Sequence, residues 1–127
     1  MSTVRVRRRG PASKYAIWAR YRNLERWPEW APHIRELRAF GQLRPGLEGQ
    51  MVGVLGMTAW FEVLEVDEPG GVWIWVVRSG PAKLRIEHEV AEGLAGMIIT
   101  GRAPAVFAYV PVARRQLTRV VGPGRGP

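Results

Sequence analysis

His88 is the one titratable side chain that sequence pattern turns inward. In residues 84–91 the set Leu84, Ile86, His88 and Val90 alternates with Arg85, Glu87 and Glu89, so one strand face carries the histidine among aliphatic neighbours. Burial there favours the neutral imidazole, which suits a general acid or base or the polar anchor of an apolar pocket. It equally suits a core histidine bonded to a backbone group or to Tyr109. Proton transfer needs a partner within hydrogen-bond reach, and Tyr109, Arg78 and Glu62 are the candidates the spacing leaves open.

Other constellations carry less chemistry. Glu87 and Glu89 share the outward face with Arg85, and Asp67 and Glu68 sit at a turn, so neither pair reads as acid–base carboxylates. His33 is far in sequence from His88 and there is no cysteine, so no metal site is expected. Gly53 and Gly56 lie between strands and not ahead of a helix, which argues against a phosphate-cradling loop. No cofactor is expected.

Aromatic bulk is the second feature. Residues 18–32, WARYRNLERWPEWAP, hold three of the six tryptophans. Trp18, Trp27 and Trp30 therefore face a large apolar interior or a ligand space. Trp18 and Trp60 read as core; for Trp27, Trp30 and Trp75 packing and ligand lining are equally open.

The elements that must position these residues follow from periodicity and turn chemistry. Val4 and Val6 alternate with Arg5 and Arg7 as a short strand, and Gly10-Pro11 breaks it. Ser13 can cap a helix from Lys14, with Tyr15, Trp18, Ala19 and Arg22 on one face, and Trp27-Pro28 should end it. Strands are predicted at 34–40, 50–55, 57–67, 72–78, 84–91 and 95–102, a meander joined by Gly- and Pro-rich turns. Glu62 favours Phe61 and Val63 inside, against Trp60, Leu64 and Val66, although a bulge in so long a strand would switch parity. In 72–78 both faces are apolar, so the side on which Trp73 and Trp75 lie stays open. Residues 104–121 are helical, with Val106, Val110, Ala113, Leu117 and Val120 in register. The stretch 105–113 is apolar nearly all round, which implies burial on more than one side, and Pro111 should kink the helix.

At 127 residues one domain is expected, spanning 1–127 with flexible ends at 1–3 and 122–127. The 46% hydrophobic and 24% charged content suits a soluble globular chain. No apolar run approaches the roughly 18 residues of a membrane span, and the basic N-terminus lacks the apolar core of a signal peptide. A cytoplasmic location is expected. The net charge of +8 is almost all scattered arginine, with Arg5, Arg7, Arg8 and Arg9 the one cluster. Scatter argues against nucleic acid as the partner.

This order of elements, with the helix WARYRNLERWPEWAPHI, the strands FEVLEVDEPGGVWIWVV and LRIEHEV, and a long final helix, resembles the START-type helix-grip superfamily (SRPBCC). The likeness is to bacterial polyketide cyclase/dehydrase-like members. It implies an α+β fold: a curved antiparallel sheet of about seven strands wrapped around a long C-terminal helix, with short helices after the first strand. It further implies an apolar cavity for a small hydrophobic or aromatic ligand, lipid- or polyketide-like. By position, Trp27, Trp30, Trp73, Trp75, His88 and Tyr109 would line that cavity, joined by the inward Phe61, Val106 and Val110. An enzymatic alternative is a cyclase or dehydratase with His88 as acid or base and Tyr109 or Arg78 orienting an oxygen. A third reading is a basic interaction module binding protein, RNA or an anionic surface through Arg5–Arg9 and the basic end of the last helix. The oligomeric state is open.

Overall fold

Seven strands form one antiparallel sheet in the order β1-β7-β6-β5-β4-β3-β2. The strands are β1 Ser2–Arg9, β2 Ile34–Arg38, β3 Glu48–Gly53, β4 Thr58–Asp67, β5 Val72–Ser79, β6 Ala82–Ala91 and β7 Leu94–Gly101. Helices α1 (Lys14–Arg22) and α2 (Trp27–Trp30) follow β1, and α3 (Ala103–Val120) closes the chain. This computed structural model describes residues 1–53 and 56–123. The last two residues of the strand expected at 50–55, and the tail from 124 onward, lie outside the described residues.

Two-residue turns explain why β5, β6 and β7 pair as neighbours. Ser79 pairs with Ala82 across Gly80-Pro81, and Ala91 pairs with Leu94 across Glu92-Gly93. Gly80 and Gly93 take φ of 56° and 64°, a region open to glycine at little cost. The chain then returns β1 to the far side of β7, with Ser2 opposite Gly101 and Arg9 opposite Leu94. On the inner face α3 lies against β1, β6, β7 and α2.

The bulge in β4 is present. Val63 pairs with Trp75 but Glu65 pairs with Ile74, so Leu64 is the extra residue. Phe61 and Val63 point inward before it, Val66 joins the core after it, and Leu64 is exposed. Trp75 opposite Val63 and Ile86, and Trp73 opposite His88, lie on the inner face with Arg78 on the outer face, and the switch brings Val66 to that inner face opposite Trp73.

Several expectations are corrected. Trp60 is 60% exposed rather than core, because it alternates with the inward Phe61 on a face that no helix covers. On α1 the buried residues are Ile17, Trp18, Arg20 and Tyr21, while Tyr15 is 75% exposed. The final helix is not wrapped on all sides at 105–113: Phe107 is 60% exposed, and Ala108 and Pro111 also face solvent. The segment before β2 does not stop at Trp27-Pro28. Asn23 ends α1 in extended geometry, a 3-10 turn (Leu24–Arg26) follows, and Trp27 begins α2 in helical conformation with Pro28 in its first turn, where a proline N–H is not needed.

The tryptophans of this segment complete α1. A helix leaves its last four carbonyls without intrahelical donors. Here Ala19 O accepts from Asn23 N at 3.2 Å and Nδ2 at 3.0 Å, and Arg22 O accepts from Leu43 N at 3.1 Å. Arg20 O accepts from Trp30 Nε1 at 3.1 Å and Tyr21 O from Trp27 Nε1 at 2.8 Å. Arg20 in turn sends its guanidinium to Val120 O (2.5 Å) and Gly122 O (2.9 Å), capping α3 while only 4% exposed.

Candidate functional site

Between the inner face and α3 lies a cavity of about 240 Å³. The sheet contributes Ile34, Met51, Ala59, Trp75, Val77 and Leu84, and α3 contributes Tyr109, Val112 and Gln116; Trp30 and His33 close one side. These positions come together because alternate residues of β4, β5 and β6 face inward while Tyr109, Val112 and Gln116 recur at three and four along α3. The walls are almost wholly apolar. Besides Ser79, whose hydroxyl donates to Thr58 O at 3.0 Å, polarity is concentrated in a chain of three side chains: the Tyr109 hydroxyl donates to Gln116 Oε1 at 3.0 Å, and the Gln116 amide lies 3.4 Å from His33 Nε2. Burial pushes the Tyr109 phenol up to about 12, and burial followed by the nearby Arg115 pulls His33 below its usual value.

Behind Trp75 the interior is filled by aromatic rings. Trp73 and Trp75 pack edge to face at 5.1 Å, Trp27 meets Trp75 at 5.4 Å, and Phe61 meets Trp75 at 5.3 Å. Tyr21 is the hub, within 5.1 Å of Trp30, 5.2 Å of Trp73 and 5.5 Å of His88. Such edge-on pairs match the ring quadrupoles and add to their area burial.

His88 belongs to this packed region. Its ring stacks on Trp73, its cross-strand partner, at 3.6 Å and 4°. Nδ1 lies 3.2 Å from Trp73 O, and because a carbonyl only accepts, the proton sits on Nδ1. Complete burial lowers the pKa to about 3. Nε2 is left without a partner among the described residues, as are the Tyr21 hydroxyl and the indole N–H groups of Trp73 and Trp75.

Of the residues singled out from sequence, the structure brings Trp30, Trp75 and Tyr109 to the cavity wall. Trp27, Phe61, Trp73, His88, Val106 and Val110 are buried core behind or beside it. His88, Tyr109 and Arg78 do not converge: Arg78 lines a groove on the outer face with Trp60, Leu64 and Lys83. Sequence reasoning passed over His33, Gln116 and Tyr21. Gln116 was within reach of it, standing seven residues after Tyr109 and hence two turns along one helix face. Nothing local pointed to His33, whose place depends on how β2 leaves α2.

Two further observations bear on function. The basic cluster of β1 is partly neutralised, since Glu89 takes Arg5 Nε at 3.0 Å and Arg7 Nη2 at 3.5 Å. Among the described residues no helix is long and apolar enough to cross a membrane, and no three His, Cys, Asp or Glu side chains converge as metal ligands.

No family model and no curated protein sequence matches the chain. Solved structures do. XoxI from Bacillus cereus superposes with a TM-score of 0.76 at 14% identity, over 94% of this chain and 93% of that one. DynU16, a protein of the dynemicin biosynthetic locus, gives 0.75 at 12% identity; it covers 95% of this chain, which spans 46% of DynU16. Ara h 8.0201 gives 0.67 at 11% identity, over 94% and 95% of the two chains. At such identities the likeness is one of fold, and together with the open seven-stranded sheet packed on α3 it gives this chain a helix-grip fold.

Proposed function

We propose that the protein binds a small, largely apolar molecule in the cavity between the sheet and α3, as a member of the START-type helix-grip superfamily. The observation that carries this reading is the cavity itself: about 240 Å³, walled by aromatic and aliphatic side chains, with one polar corner at Tyr109, Gln116 and His33. Ligand sites are commonly of this make-up, apolar walls with a few placed polar groups. The volume falls below the range of roughly 300–1,000 Å³ typical of drug-sized ligands. A one- or two-ring aromatic or a short-chain lipid fits the space better than a sterol. The likeness to DynU16, from a biosynthetic locus, is in keeping with an aromatic or polyketide-type guest.

Binding is favoured over catalysis through His88. That histidine is sealed between Tyr21 and Trp73 and does not line the cavity, and Arg78 faces the other side of the sheet. A thermal-shift series of one- and two-ring aromatics and short fatty acids tests the reading. A ligand at 100 times its Kd adds ~2.7 kcal/mol, a rise of several degrees for a domain of this size. No shift with any of them would remove the proposal.

A further inference from the structure

With the Gln116 amide nitrogen toward His33 and its oxygen toward Tyr109, as in the structure, the Tyr109–Gln116–His33 chain has one pattern of protons while His33 is neutral; it takes another once His33 is charged. In this orientation neutral His33 carries its proton on Nδ1, its Nε2 accepts from the Gln116 amide nitrogen, and Gln116 Oε1 accepts from the Tyr109 hydroxyl. Tyr109 then has spent its only proton and offers oxygen lone pairs, while the second Gln116 N–H is free to donate. A group that both donates to Tyr109 and accepts from Gln116 satisfies this corner; a hydroxyl does both, and a carbonyl only accepts. With His33 charged, Nε2 becomes a donor. The Gln116 amide must then turn over, placing its oxygen toward His33 and its nitrogen toward Tyr109. The Tyr109 proton is released and can be given to a ligand acceptor.

We infer that this three-residue chain is the specificity element of the cavity, selecting an apolar ring or chain that bears a hydroxyl group, and that protonating His33 turns the preference toward a carbonyl. The inference rests on the proposed ligand-binding reading and names the ligand's chemical class. Gln116 is 3% exposed, so bulk water does not substitute for its partners. The charged group acting on His33 is Arg115 of α3, and Tyr109 is the other titratable residue of the cavity. The lining residues from α2 and from β2 to β6 carry no titratable group. Burial and Arg115 both work against the charged imidazole, so the hydroxyl-selecting form prevails at neutral pH.

The test uses indane, 2-indanol and 2-indanone, one skeleton with no group, a hydroxyl or a carbonyl, none of which ionises between pH 4 and 8. Binding is followed by NMR at the indole N–H signals of Trp30 and Trp75, with His33 protonation read from its own ring signals. With His33 neutral, 2-indanol binds about two- to tenfold more tightly than 2-indanone, the range expected of one net hydrogen bond. With His33 charged the order reverses. In Gln116→Met both effects vanish, so that 2-indanol and 2-indanone bind alike whatever the charge on His33. Equal affinities with His33 neutral, or a preference that survives Gln116→Met, would overturn the inference while leaving the cavity intact. Failure of all three compounds to perturb Trp30 and Trp75 would remove the binding reading itself.

Discussion

At the scale of single residues, His88 shows how a titratable group is used for packing. Stacked on Trp73 and bonded through Nδ1 to that residue's carbonyl, it is held neutral with a pKa near 3. An unfolded histidine takes up its proton near pH 6.5. Between those values the unfolded chain binds more protons than the folded one, so this contribution is complete above about pH 6.5 and is lost as pH falls toward 3. His33, also lowered, acts with the same sign. In urea titrations at pH 7 and pH 5, His88→Phe should show about 2 kcal/mol less acid-induced loss than the parent. An unchanged loss would mean that His88 takes up its proton over the same pH range in the folded and unfolded chain. Trp27 is a different case, since its indole N–H serves the Tyr21 carbonyl. Trp27→Phe keeps a ring but orphans that oxygen, and should cost about 1–3 kcal/mol in the same assay.

At the scale of elements, α1 completes the end of α3 through one side chain. Arg20, on α1, supplies two hydrogen bonds to carbonyls at the end of α3 from a buried position. Its charge is opposed by desolvation, yet the carbonyl pair and the C-terminal dipole of α3 both favour a cation there. Arg20→Met should lower stability by about 3 kcal/mol, because hydrogen bonds from a charged donor are the stronger kind and buried carbonyls are left bare. Hydrogen exchange should quicken first in the last turn of α3; uniform quickening would argue against a local capping role. The β4 bulge is the second device at this scale. One extra residue, Leu64, lets Phe61, Val63 and Val66 all face the core along a ten-residue strand.

At the scale of the whole molecule, the balance between packing and cavity decides function. Aromatic rings fill the half of the interior beneath α1 and α2, and the remaining space opens beside Tyr109, Val112 and Gln116. A cavity of this kind forgoes packing contacts and so lowers stability. Val112→Phe is expected to fill it: thermal shifts from any ligand should disappear, while the ligand-free melting temperature holds or rises. A ligand shift that persists in this variant would locate binding elsewhere, for example in the outer groove of Trp60 and Leu64.

Local pattern was enough to read the meander, the inward set of 84–91 with His88 on it, and the long final helix. Turn chemistry and side-chain alternation act over a few residues, and the antiparallel pairing of β5, β6 and β7 follows from two-residue turns. What depends on contacts distant in the chain was not legible. Pairing with Val63 and with Ile86 and His88 chose the face of Trp73 and Trp75, and the bulge at Leu64 brought Val66 to it, both matters of pairing between strands. The covering of the sheet on one side only left Trp60 outside, and the placement of α3 against β1, β6 and β7 left Phe107 in solvent. The polar corner was hidden most deeply, since His33 and Gln116 stand 83 residues apart in the chain. Sequence by itself determined which segments are strands and helices, because propensity, alternation and turns are local properties. Only the tertiary structure decided which aromatic side chains are wall and which are filling, because that depends on how far α3 stands from the sheet it closes.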